Sequence, residues 1–158
     1  MERVISIKDF KYYTHLRKIM FDLELADKEY WWLISEIEAY PNKEKYIKII
    51  SNADYLLIKT SDLMKMLEDD DFQWIWAVFS AIPPCYTKEQ ILNYNLPYLQ
   101  WMEKGEYNPY IDIPKLQHPL SEFELYAEDS SSMFLISDNE ELLNRFKKSY
   151  PNYIVKYG

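Results

Sequence analysis

The stretch from Phe72 to Ile82 is apolar on both of its faces, and it limits the fold more than any other part of the chain. Read with a period of two, it puts Trp74, Trp76 and Val78 on one face and Ile75, Ala77 and Phe79 on the other. Such a strand belongs near the centre of a sheet covered on both sides. Pro83-Pro84 ends it.

Shorter runs supply its neighbours. Val4 to Ile7 reads as a first strand. Tyr30 to Tyr40 reads as another, with Trp31, Leu33, Ile37 and Ala39 facing one way and Trp32, Ile34, Glu36 and Glu38 the other. Tyr46 to Ile50 and Tyr55 to Lys59 are further apolar runs, separated by the turn signal Ser51-Asn52. Glu122 to Glu128 alternates, with Phe123, Leu125 and Ala127 against Glu122, Glu124, Tyr126 and Glu128. Met133 to Ile136 returns as its hairpin partner, and Tyr153 to Tyr157 is a last strand.

Helical spacing appears from Asp9 to Leu25, with Phe10, Tyr13, Leu16, Met20 and Leu23 on one face and Ser6 or Asp9 as the cap. A second helix starts at Thr60-Ser61-Asp62 and turns Leu63, Met66 and Leu67 inward. It runs into Asp69-Asp70-Asp71, where a helix C-terminus disfavours carboxylates. Thr87 and Gln90 form a capping box for a short helix, and Ser137 with Glu140 does so for a longer one bearing Leu142, Leu143, Phe146 and Tyr150. From Leu96 to Leu120 the periods fail, and Pro97, Pro109, Pro114 and Pro119 break any long element. The chain reads as a single globular α+β domain over residues 1–158. Its sheet is mixed, mostly antiparallel, with about five to seven strands, packed helices and a C-terminal β-β-α-β unit.

Fifteen tyrosines, seven phenylalanines and five tryptophans stand against only two glycines, Gly105 and Gly158. Phosphate and dinucleotide sites use glycine where backbone approaches ligand closely, so those chemistries lose their usual loop. The net charge of -8 opposes nucleic acid and anionic membrane and favours a basic protein as partner. The lone Cys85 forbids an internal disulfide. No apolar run has the length of a signal peptide or a membrane span, so a cytoplasmic location is expected. No cofactor is implied.

Several residues invite a chemical reading. His15 and His118 lack metal-ligand spacing, though His118 beside a carboxylate would make a general base. Cys85 precedes a helix N-terminus that would lower its pKa. Glu36 and Glu38, on one face with Trp32, resemble the acid pair of a small hydrolase; the plainer reading is a solvated face. Glu122, Glu124, Glu128 and Asp129 form an acidic stripe on the outer face of the hairpin; the plainer reading is a solvated face, the sharper one a surface for a basic protein with Tyr126 as its anchor. Tyr98, Trp101, Tyr107 and Tyr110, in the Pro-punctuated segment, are the rings hardest to hide and join that binding surface. A homodimer is the remaining alternative.

The run from Phe123 through Asp129-Ser130-Ser131, then Met133 to Ile136 and Glu140-Glu141-Leu142-Leu143, resembles the C-terminal part of a family of small uncharacterised bacterial α+β proteins. The Trp31-Trp32-Leu33-Ile34 run is similar to theirs as well. In size, acidity and aromatic content the chain resembles the immunity proteins of polymorphic toxin systems. That resemblance implies binding and neutralising a toxin domain, and it carries no catalytic residue onto any position.

Overall fold

The computed structural model describes residues 1–7, 14–97, 112–129 and 132–157. Their elements run β1 (Glu2–Ile7), β2 (Thr14–His15), α1 (Leu16–Asp22), β3 (Trp31–Tyr40), α2 (Glu44–Ser51), β4 (Tyr55–Lys59), α3 (Thr60–Asp69), β5 (Gln73–Ile82), α4 (Lys88–Leu92), β6 (Phe123–Glu128), β7 (Ser132–Ser137), α5 (Glu140–Ser149) and β8 (Tyr153–Tyr157). The class is α+β. The eight-stranded sheet has the order β4-β3-β5-β6-β7-β1-β8, with β2 paired to one end of β5. Among the described residues every pairing is antiparallel. The strand count exceeds the expected five to seven.

One face of the sheet carries the main core. Leu16, Ile19 and Met20 of α1, Ile50 of α2, Leu63 and Leu67 of α3, and Leu142 and Phe146 of α5 pack there on Trp32, Phe79, Leu125 and Leu135. Trp32 meets Tyr30 and Phe123 edge-on, and its Nε1 donates to Thr60 Oγ1 at 2.9 Å, so the ring is buried with its polar atom matched. The second face is covered without long helices. Ile91 of α4 packs on Leu33 and Ile82, while Ile5, Val78, Tyr126, Phe134 and Ile136 form a separate cluster beside Leu116. The doubly apolar β5 is thus buried on both sides.

Two bulges revise the face assignments. Ser35 pairs with Val78, but Glu38 pairs with Trp76, so β3 holds one residue too many between them. That residue step is made by Glu36, whose φ of 53° lies in the left-handed region. Ala39 then pairs with Trp74, which leaves Ile75 as the extra residue on β5. Each bulge reverses the parity of the residues beyond it. Trp74 therefore packs with Ala77, Phe79 and Ala81, while Trp76 joins Val78 on the opposite face. Likewise Trp32 and Ile34 share the helix-side core with Ile37 and Ala39, so Glu38 is not on a face with Trp32.

The first helix is shorter than its apolar spacing predicts. Thr14 and His15 are strand residues paired to Trp74 and Gln73, so the helix starts at Leu16; Phe10 and Tyr13 lie outside the described residues. The cap of α5 is also corrected. Asn139 Oδ1 accepts from the Leu142 N–H, and Ser137 Oγ accepts from the Asn139 N–H one step earlier. The Thr87–Gln90 capping box forms as expected.

The acidic run at the end of α3 finds its partners on another helix. Asp70 turns out of the helix, and its Oδ2 accepts from the N–H groups of Asn42 and Lys43 at 2.8 and 2.9 Å, at the start of α2. Its Oδ1 accepts from Asn42 Nδ2. Burial opposes the charged Asp70, but these donors outweigh it and hold the carboxyl below its ordinary value. Asp69 meets Lys43, Lys45 and Tyr46, which hold it well below the usual carboxylate range. The charge that α3 disfavours therefore caps α2.

Asp70→Ala is expected to lose about 1–2 kcal/mol of stability at neutral pH. Because the folded pKa is depressed, that contribution is present above about pH 4 and fades below it. Urea titrations of both proteins should show a gap that closes on acidification; a gap independent of pH would contradict the assignment.

Candidate functional site

The acidic stripe of β6 has the expected alternation and the opposite environment. Glu124 and Tyr126 are completely buried, so they form no outer surface for a partner. They face the segment 112–122, an irregular cover on the second side of the sheet. Glu124 accepts from the Gln117 N–H with both oxygens at 3.0 Å, from the His118 N–H at 2.9 Å and from Ser121 Oγ at 3.2 Å. Tyr126 Oη donates to its Oε2 at 2.8 Å, and Ser80, its register partner on β5, lies at 3.4 Å. Burial pushes the Glu124 carboxyl up, against the pull of these donors.

The same logic recurs along that face. Buried Arg3 donates through Nη1 to the Asp112 carbonyl at 3.2 Å. Ser35 Oγ donates to the Pro97 carbonyl at 2.6 Å, and Trp31 Nε1 to the Tyr86 carbonyl at 3.1 Å. His118 is buried too. Its ring meets the Ile91 carbonyl through Nε2 at 2.9 Å and the Leu120 N–H through Nδ1 at 3.1 Å, and burial pushes its pKa down. Its imidazole thus binds backbone on both sides, and the link to the Glu124 carboxylate runs through its main chain.

The other sequence candidates scatter. Glu122 is exposed and accepts from Tyr30 Oη at 3.0 Å; burial and this carboxylate push the Tyr30 phenol up to about 12. Glu128 is half-buried, and Asp129 is exposed at the strand end with φ 44°. Tyr98, Trp101, Tyr107 and Tyr110 lie outside the described residues. Glu38 accepts from Tyr40 Oη, while burial raises the pKa of Glu36. Cys85 is exposed. His15 is half-exposed beside Asp71. Among the described residues no group of three or more His, Cys, Asp or Glu could hold a metal ion, and no helix is long and apolar enough to cross a membrane.

A surface that the periodicity did not single out lies at the end of α1. The buried residues Leu16, Ile19, Met20 and Leu23 fix which side of this helix faces the core, and Phe21 is left 54% exposed. The chain then reverses sharply. The Leu25 N–H reaches the Met20 carbonyl at 2.8 Å and the Glu24 N–H the Phe21 carbonyl at 3.0 Å, the bond pair of a Schellman motif. Its left-handed position, usually glycine, is Glu24 with φ 56°. Leu25 and Met20 pack in the same core cluster beneath the turn.

This turn brings Ala26 and Asp27 back beside the ring. A hollow of about 300 Å³ lies between Arg17, Phe21, Ala26, Asp27, Met64 and Glu68, and one of about 480 Å³ opens on the other side toward Glu24 and Lys28. Arg17 rests its guanidinium 5.1 Å from the Phe21 ring centre, which shows that the ring face accepts a cation. Glu24 pairs with Arg145 at 2.8 Å. Asp27 and Glu68 are exposed and form no ion pair with any described residue. An aromatic ridge flanked by open carboxylates matches a lysine or arginine side chain from outside.

No protein-family model, curated protein or solved structure matches the chain.

Two substitutions test the local physics. Glu124→Gln places an amide NH2 among N–H and O–H donors, and should lose about 2–3 kcal/mol in urea unfolding; an unchanged midpoint would refute the anchoring role. Glu24→Gly relieves the left-handed strain and forgoes one exposed ion pair, for an expected net gain of about 0.5 kcal/mol. A lower thermal midpoint would show that the turn is not strained.

Proposed function

We propose that the chain is a non-enzymatic protein-binding domain that takes a basic partner, as an inhibitor or immunity factor does for a toxin domain. The observation that carries this reading is Phe21, an exposed ring between Asp27 and Glu68 at the mouth of two hollows. Aromatic anchors with charged neighbours are what interfaces use for affinity and for orientation. The net charge of -8 steers a cationic protein toward the molecule before contact. The buried carboxylate and imidazole of the second face support the same reading, because both are engaged with main-chain groups.

The test is a paired pull-down from host lysate with the native chain and with Asp27→Lys/Glu68→Lys as baits. The expected result is one stoichiometric basic protein on the native bait, absent from the variant and released as salt rises from about 0.1 to 0.5 M. Equal recovery by both baits, or an acidic protein as the stoichiometric species, would overturn the proposal.

A further inference from the structure

The sheet ends at β8, and this edge has a sequence suited to its own copy. β1 pairs with one side of β8, from Tyr153 opposite Ser6 to Tyr157 opposite Glu2, and no described strand lies on the other side. Edge strands usually protect themselves with charge, proline or a cover. Between Tyr153 and Tyr157 the only charge is Lys156, and Tyr153, Ile154 and Tyr157 are 41%, 55% and 71% exposed. The opposite edge differs. There Leu56 and Ile58 of β4 pack against the main core and Leu57 against the second face.

The order Tyr-Ile-Val-Lys-Tyr reads nearly the same in both directions. Antiparallel pairing of two copies about Val155 sets each Tyr153 opposite the other copy's Tyr157, and each Ile154 opposite Lys156. The two lysines do not face one another, so the only charge in the strand meets an aliphatic side chain that its stem can cover. A two-fold axis normal to the sheet keeps equivalent faces on the same side, and α5 packs chiefly on β7 and β1. Lys147 of α5 pairs with Glu2, the residue of β1 opposite Tyr157, so the carboxylate beside this edge is matched by a cation. Elsewhere the molecule is acidic enough to repel its copy; this edge has no acidic residue from Tyr153 to Tyr157.

We infer that two copies of this chain join through β8, in antiparallel register about Val155, into one continuous sheet. Sedimentation at concentrations up to about 100 µM should show twice the monomer mass. Ile154→Lys/Tyr157→Lys, checked for folding by its thermal midpoint, should return it to monomer. In a Cys85→Ser background, Val155→Cys should give a disulfide-linked dimer on mild oxidation, whereas Ile154→Cys, which faces Lys156, should give several-fold less. A native chain that stays monomeric, a dimer that survives the double lysine substitution, or equal cross-linking at both positions would overturn the inference.

Discussion

Main-chain polar groups buried under an irregular cover must find partners, and that requirement shapes the second face of this sheet. A helix laid on a sheet satisfies its own backbone. The segments 83–97 and 112–122 hold little regular structure, so their N–H and C=O groups need partners from below. The sheet provides them by type: Glu124 accepts N–H groups, while Arg3, Ser35 and Trp31 donate to carbonyls. A fully apolar face would hold such a cover poorly. Buried Glu124 is stable there because several donors converge on it, whereas burial without partners would leave it neutral or expel it.

The same economy of partners appears where local sequence conflicts with local structure. Three consecutive aspartates oppose the dipole of α3, and the resolution lies across space at the start of α2. With glycine nearly absent, left-handed positions fall to Glu24, Glu36 and Asp129. Each sits where the fold needs an abrupt change of direction: a helix end, a bulge and a strand end. The strain at Glu24 is held in place by the Leu25–Met20 contact below it, so a local penalty is outweighed by core burial.

Elements were legible in the sequence because hydrophobic period is a local property. Residues 60–69, 73–82, 123–128, 132–137 and 140–149 emerge as helix or strand from their spacing. Face assignment failed twice, for separate reasons. In β3 and β5 a bulge changes parity, and without glycine at Glu36 or Ile75 nothing marks the step. In β6 the parity was right, but polar was equated with outside. Glu124, Tyr126 and the half-buried Glu128 do share a face, and that face lies under a cover whose own sequence has no period to announce it. Phe21 was missed because the apolar stripe of its helix accounts for its neighbours and leaves it unremarked.

That exposure carries an argument about function. Rotating α1 to bury Phe21 would lift Leu16, Ile19, Met20 or Leu23 from the core, so the helix cannot cover the ring by itself. Nor does the turn after it, since Ala26 and Asp27 approach the ring and leave hollows on both sides. With 54% of its surface exposed, Phe21 forgoes roughly 1 kcal/mol of the burial that the same side chain would gain inside a protein. The fold thus leaves about half of this ring unused, and a docked partner would recover what the isolated chain leaves unsatisfied. The Arg17 guanidinium now over the ring can move aside for another cation, because it is exposed and bound to no described carboxylate. A cationic side chain entering between Asp27 and Glu68 would gain two charges with which Arg17 forms no ion pair.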